Sequence, residues 1–263
     1  GGGEGPYRFD VDLTGATGRL DLAGFYLPND VPTYEATGYV AGLDLSRLPL
    51  RPRLPASALT GSVEISGQGF DLETLEGTFA FDATASTLAN MPLDAAVGRV
   101  EIRGGVAYVD TLNIQLERTR LVASGTWGLQ APSAEPLRFF IDSPDLGVFT
   151  RVLAPTEFVP PQLAGSLRAE GTIAGSVAYP VIDASLSGRD LRYEEYRAAA
   201  LTADLDALRS EATGWQGEIA LQGEGLYTPQ TEAVQSLTFQ ARGTQGNFVF
   251  SLAARRDAQT DLV

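Results

Sequence analysis

Apolar side chains recur at every second position along short runs, and this alternation is the feature that most limits how the chain can fold. Typical runs are Val63/Ile65, Leu112/Ile114 and Leu237/Phe239, with polar residues between them. Successive side chains of a strand point to opposite faces of its sheet, so such runs predict strands with one apolar face and one polar face. Helical spacing is nearly absent, and the sequence therefore predicts an all-β protein.

The alternation also predicts which residues share the apolar face. It assigns to that face the bulky apolar member of each run, beginning with the run at Val63. These residues are Val63, Ile65, Phe79, Phe81, Val100, Ile102, Leu112, Ile114, Leu116, Leu137, Phe139, Ile141, Leu167, Ile173, Leu201, Leu205, Ile219, Leu221, Leu237, Phe239, Phe248 and Phe250.

Glycine-rich positions separate the runs. We interpret residues 67–69, 104–105, 175–176, 188–190, 223–225 and 243–246 as strand ends or turns. Turn signals at this frequency favour a meander in which each strand pairs antiparallel with the next.

Two stretches depart from the alternation and resemble single helical turns. Residues 44–50 and 145–153 each begin with Asp, carry apolar residues at helical spacing and end near proline. Aspartate is a preferred N-cap residue, so Asp44 and Asp145 are predicted to cap them.

A repeat follows from these two stretches. Each precedes a glycine-flanked strand, residues 59–67 in the first and 163–171 in the second, 104 positions apart. A second pair, residues 111–116 and 236–241, lies 125 positions apart, and we interpret it as a further match with different loop lengths. Such repetition builds an elongated sheet in which each unit contacts mainly its neighbours.

We therefore expect residues 1–263 to form one continuous repetitive β segment of a longer protein. The expected repeat units are roughly 31–142 and 143–263, with the short helical turns at the repeat junctions.

About a dozen strands at ~4.8 Å each would extend roughly 60 Å, so the sheet must turn its apolar face inward. The pattern leaves two architectures open: a β-sandwich, and an elongated antiparallel sheet curled into an open trough with a hydrophobic interior. Many Ala and Gly residues on the apolar face would leave space between the walls and favour the trough.

Composition excludes several classes of function. The chain has no His, no Cys and no Lys, and its net charge is −14. Nucleic acid is not expected as a partner, because phosphate contacts require a basic surface. Thiolate and imidazole chemistry is also absent, so we expect no enzyme, no catalytic residue, no metal and no cofactor.

Paired carboxylates are the remaining candidates for chemistry. Glu194 and Glu195 could imitate a glycosidase pair, but adjacent strand residues face opposite ways, and a solvated loop is favoured. The pairs Asp10/Asp12 and Asp204/Asp206 could hold calcium, yet neither has the glycine and distal glutamate of a calcium loop.

Residues 163–176, followed by residues 180–186, resemble the recurring Leu–Gly–Leu–Gly–Gly–Pro unit of the AsmA-like superfamily, and within it the TamB family. The resemblance extends over nearly the whole chain from about Val31. It implies a β-taco fold and a periplasmic protein anchored in the inner membrane of a Gram-negative-type envelope. The membrane anchor and the carboxy-terminal domain of that family are not expected within this segment.

The resemblance also implies a function and partners. The 22 residues assigned to the apolar face would line a groove that shields phospholipid acyl chains during transport between inner and outer membranes. Phospholipid, other segments of the same chain and an outer-membrane Omp85-type barrel are the expected partners. Two alternatives stay open: a scaffold that assembles or secretes outer-membrane β-barrel proteins by strand pairing, and a carbohydrate-binding or adhesive β-sandwich.

Overall fold

One antiparallel sheet forms almost the entire structure, a computed structural model that describes residues 5–47, 54–71, 73–153, 162–228 and 231–256. Its 15 strands follow one another in chain order from β1 to β15, and every strand pairs antiparallel with the next. The strands are β1 Tyr7–Gly15, β2 Gly18–Leu27, β3 Thr33–Leu43, β4 Ser57–Gln68, β5 Glu76–Leu88, β6 Met91–Arg103, β7 Val106–Leu116, β8 Thr119–Gly128, β9 Ser133–Ser143, β10 Leu163–Gly175, β11 Pro180–Tyr193, β12 Tyr196–Ser210, β13 Gly214–Thr228, β14 Thr231–Thr244 and β15 Asn247–Arg256.

The sheet is curled into an open trough and does not close into a barrel. Among the described residues, the strands pack against their neighbours in sequence, apart from a direct contact between β8 and β10. A sandwich would bring strands distant in sequence face to face, so the open trough is confirmed and the sandwich is not formed. Register shifts in β4, β7 and β10 mark bulges, which bend strands and increase their twist.

The meander gives the trough two different rims. One rim, here called the helical rim, contains the turns β5–β6, β7–β8 and β11–β12 and both helical elements. The opposite rim, called the hairpin rim, contains the turns β6–β7, β10–β11 and β14–β15.

Both predicted helical turns are present on the helical rim. Between β3 and β4 lies a 3₁₀ turn, Leu45–Arg47, and between β9 and β10 lies α1, Gly147–Leu153. The carboxylate of Asp44 accepts the backbone N–H of Ser46 at 3.1 Å, and that of Asp145 accepts the N–H of Gly147 at 2.8 Å. The predicted caps are confirmed; residues 48–50 of the first stretch lie outside the described residues.

Two glycine clusters were wrongly interpreted as strand ends. Residues 188–190 lie inside β11, where Asp190 adopts a φ of 51°, and residues 223–225 lie inside β13, where Gly225 has a φ of 58°. A residue with positive φ inside a strand is compatible with a bulge, which turns the strand without ending it. Glycine spacing alone does not separate a bulge from a turn.

The helical elements occupy corresponding places in the order of elements. Six strands, β4–β9, follow the 3₁₀ turn, and six strands, β10–β15, follow α1. We therefore propose a repeat of one helical element and six strands, with β4 equivalent to β10. The second match from the sequence was wrong, because residues 111–116 lie in β7 and residues 236–241 in β14, which differ in rank and in direction.

The apolar core is small and lies under α1. Its buried members are Met91 and Leu93 of β6, Leu116 of β7 and Val148 of α1, together with Ala96. Most other apolar side chains of the sheet are only partly buried, since no second sheet covers them.

Candidate functional site

The apolar face of the trough is the candidate site, and strand register shows how it is built. One residue from each strand contributes to an unbroken central row, because opposed residues in a ladder share a face. In strand order the row is Val11, Leu22, Gly38, Val63, Phe81, Gly98, Leu112, Ala123, Phe139, Gly171, Ala184, Leu205, Ile219, Ala241 and Phe250.

All 22 residues that the alternation assigned to this face lie on it. Leu137, for example, opposes Ile173, Leu221 opposes Phe239, and Phe79 opposes both Ile65 and Val100. Bulges in β6 and β7 shift the alternation by one residue, yet Leu112, Ile114 and Leu116 keep the same face. Their role in holding lipid stays a prediction.

The sequence analysis missed the part of this face formed by the first three strands. Val11 opposes Leu22, Leu13 opposes Leu20, and Leu20 opposes Val40. The signal was present, because residues 9–13 and 20–22 alternate as clearly as the later runs. The apolar face therefore begins at β1 and includes every strand.

The apolar face is open to solvent at its two ends. In β15, Phe248 is 54% exposed, Phe250 71% and Leu252 63%, while Leu13 of β1 is 58% exposed. The three exposed apolar side chains of β15 form a contiguous patch by themselves, which is typical of a site for an apolar ligand or partner.

The glycines of this face do not leave the free space that we expected from composition. A Cβ placed on Gly98 would lie 2.3 Å from the ring of Phe81, and one on Gly24 would lie 2.7 Å from the ring of Phe9. The aromatic rings of one strand therefore lie over the glycines of the next. At Gly98 and Gly24 the wall is therefore filled, whereas an apolar cavity of about 150 Å³ lies on the same face of β12–β15, beside Trp215.

Helix α1 covers the apolar face near the helical rim. Arg151 fixes it there, donating to Glu117 at 3.1 Å, to Asp145 at 3.5 Å and to the sulfur of Met91 at 2.9 Å. The backbone N–H of Leu146 also donates to the carbonyl of Gly165 in β10 at 2.8 Å.

Aromatic side chains gather near the hairpin rim. Phe70 stacks on Tyr34 with ring centroids 5.1 Å apart and lies 6.5 Å from Tyr26. Both tryptophans face the groove. Trp127 opposes Ala107 on that face. Trp215 lies two positions from Gly217 in β13, so it shares the groove-facing side of that residue. The indole N–H of Trp127 is buried and has no hydrogen-bond acceptor among the described residues.

The opposite, polar face carries most of the charge. Asp183, Asp206, Glu218 and Arg242 lie in one cross-strand row on β11–β14. A hydrogen bond with Asp183, then desolvation and the nearby carboxylates, raise the pKa of Asp206 above its ordinary 3.8. The hydrogen bond favours the protonated form of Asp206, and desolvation and the negative charge of the neighbouring carboxylates act in the same direction.

The carboxylates considered for chemistry do not assemble into a site. Glu194 and Glu195 lie exposed in the β11–β12 turn, and Asp10 and Asp12 lie on the polar face of β1. Within the described part of the chain, no group of three or more acidic side chains is arranged to hold a metal ion. In the same residues, no helix is long and apolar enough to cross a membrane.

Comparison with known proteins finds one similarity, in the second half of the chain. The family model of the TamB N-terminal domain matches residues 146–262, from α1 through β15. No curated protein and no solved structure matched. TamB proteins are components of the Gram-negative envelope without enzymatic activity. The resemblance seen in the sequence is thus confirmed for this part: the chain contains a TamB-like segment.

Proposed function

We propose that the apolar groove shields phospholipid acyl chains as they cross the periplasm between the inner and outer membranes. The observation that carries the proposal is the unbroken row of apolar and small residues on all 15 strands. Each methylene group removed from water contributes about 0.8 kcal/mol, so a continuous apolar path lowers the barrier for a lipid in an aqueous compartment. Such transport needs no catalytic group.

The proposal includes a place and partners. A TamB-like segment fits a protein anchored in the inner membrane, with phospholipid as ligand, further segments of the same chain extending the groove, and an Omp85-type barrel at the outer membrane. The polar face keeps such a trough in solution, because Asp, Glu, Thr and Ser dominate its outward positions.

The test is lipid transfer between donor and acceptor vesicles by charge variants. Leu205 lies half-buried in the central row, and Leu205→Arg would place a charge among apolar side chains. We expect at least tenfold slower transfer, with the sheet retained by circular dichroism.

Thr202→Arg is the matched control, since Thr202 is exposed on the polar face of the same strand and receives the same charge. Gln115 would be a poor control because its amide donates to the carbonyl of Glu117 at 2.8 Å. Equal transfer by wild type and a folded Leu205→Arg variant would contradict lipid passage.

A second candidate, strand-pairing assembly of outer-membrane barrel proteins, has one observation in its favour. Among the described strands, β15 lies at one edge of the sheet and has charges only at Arg255 and Arg256, whereas β1 at the other edge carries Arg8, Asp10 and Asp12. An edge strand whose first eight residues carry no charge favours pairing with a further strand. Binding of unfolded barrel strands that persists in Leu205→Arg while lipid transfer is lost would separate the two functions.

A further inference from the structure

The most deeply buried apolar contact of the chain joins a helix to the groove. Val148 of α1 is 2% exposed and packs with Met91, Leu93 and Leu116 of the apolar face. Val152, one turn later, packs against the same cluster. The surface under α1 is thus apolar and is filled by the aliphatic side chains of Val148 and Val152.

The described part of the corresponding element in the first half of the chain has no such buried contact. The 3₁₀ turn Leu45–Arg47 occupies the corresponding place before its own six strands and buries none of its residues. Among the described residues, no helix covers the apolar face of β11–β15, where Phe250 is 71% exposed. The helix therefore covers one part of a surface that is elsewhere left open.

The ion pair that joins α1 to the sheet, Arg151 with Glu117, is exposed to solvent. The side chain of Arg151 is 42% exposed, and its partners Glu117 and Asp145 are 35% and 42% exposed. Exposed ion pairs contribute little to stability and weaken further in salt. The surface under α1 is apolar, whereas the Arg151 ion pairs, here called the latch, are weak enough to break.

We propose that α1 is an internal substitute for an acyl chain: Val148 and Val152 occupy a lipid subsite formed by Met91, Leu93, Ala96 and Leu116, and an entering acyl chain displaces them. The inference rests on the proposed function of the groove. Lipid and helix compete for one surface. The apparent lipid affinity of this subsite is therefore the intrinsic affinity multiplied by the fraction of molecules in which the helix has left it.

Competition predicts that weakening the helix raises the lipid affinity, whereas a purely structural role of the helix does not. Val148→Ala removes two methyl groups from the helix and leaves the subsite intact. The helix then competes less well, and we expect the affinity for a zwitterionic lysophospholipid to rise about tenfold. A zwitterionic probe avoids repulsion by the net charge of −14. Titration calorimetry below the micelle concentration measures it, and thermal melting checks the fold.

Val181→Ala is the matched control, because Val181 is 46% exposed on the polar face of β11 and undergoes the same chemical change. Its affinity should equal that of the wild type. Arg151→Gln, which removes the latch and leaves the apolar surface under α1 untouched, should raise the affinity several-fold.

Tethering α1 to the sheet should have the opposite effect and lower the lipid affinity, and it can be compared within one protein before and after cross-linking. The chain has no cysteine, so Glu117→Cys with Arg151→Cys introduces two unique thiols that a bismaleimide can join. Cross-linking should lower the affinity at least tenfold relative to the same variant before cross-linking. Equal affinity before and after cross-linking, or a Val148→Ala variant that melts earlier but binds like wild type, would overturn the inference alone. No binding by any form would overturn the proposed function with it.

Discussion

At the scale of single residues, the groove wall depends on glycines paired with aromatic rings. Phe81 lies over Gly98, and Phe9 over Gly24, so each ring replaces the side chain that its neighbour lacks. Alternation in the sequence correctly places these residues on one face, because side-chain direction in a strand follows from parity. It could not reveal that the glycines were covered. The ring and the glycine belong to different strands, and they come into contact only because of the way these strands are aligned.

Gly98→Ala tests this packing. The new Cβ would lie 2.3 Å from the ring of Phe81, so the ring must move, and we expect a loss of about 1–3 kcal/mol in the free energy of unfolding. Urea denaturation measures the loss. Gly15→Ala is the control, because nothing lies within 4 Å of a Cβ there and its stability should stay near that of the wild type. Equal stability of the two variants would contradict the packing.

The crowded acids of the polar face predict a pH dependence. The hydrogen bond with Asp183, with desolvation and repulsion, raises the pKa of Asp206 above 3.8. Protonated Asp206 therefore stabilises the folded state. This contribution to stability is fully present below pH 3.8 and is lost as pH rises through the raised pKa. Asp206→Asn abolishes this loss. Its melting temperature should gain on the wild type as pH rises from about 3 to about 7.

Asp44 provides a control of opposite sign. Hydrogen bonds, first from the Ser46 hydroxyl and then from the backbone of Ser57, lower the pKa of Asp44 below 3.8. Its contribution is present above 3.8 and is lost as pH falls through the lowered pKa, so Asp44→Asn should lose stability at about pH 7 and little at about pH 3. A pH-independent difference for Asp206→Asn would count against the acid cluster.

At the scale of elements, the two helical turns show what local sequence can and cannot predict. Asp44 and Asp145 identified both turns because capping is a local interaction. The packing of α1 on Met91 of β6 joins positions nearly sixty residues apart, and nothing in the local pattern marks it. The same limit explains the mistaken strand ends at residues 188–190, where a bulge and a turn use the same residue types.

Asp145→Ala tests the cap of α1. The backbone N–H of Gly147 loses its acceptor at 2.8 Å and Arg151 loses one partner, so we expect a cost of about 1 kcal/mol in chemical denaturation. Asp145→Asn keeps a side-chain oxygen and should recover most of that loss. If both variants matched the wild type, the cap would not contribute to holding α1.

At the scale of the whole molecule, the fold results from one rule applied at fourteen strand pairings: each strand pairs with the next and keeps its apolar side on the same face. The all-β class and the shared face were predictable because both depend on parity within a strand. The choice between sandwich and trough was not, because it depends on whether distant strands meet, which short runs do not encode.

The central claim is that acyl chains enter the groove, and the two tryptophans allow it to be tested directly. Trp127 and Trp215 are the only tryptophans in the chain, and both face the groove near the hairpin rim. Phospholipid brominated on its acyl chains quenches indole fluorescence on contact. We expect such lipid to quench the wild type and the variants Trp127→Phe and Trp215→Phe, while the same lipid brominated only at its headgroup quenches much less. Unchanged fluorescence with acyl-brominated lipid, in protein that keeps its β-sheet spectrum, would contradict the account.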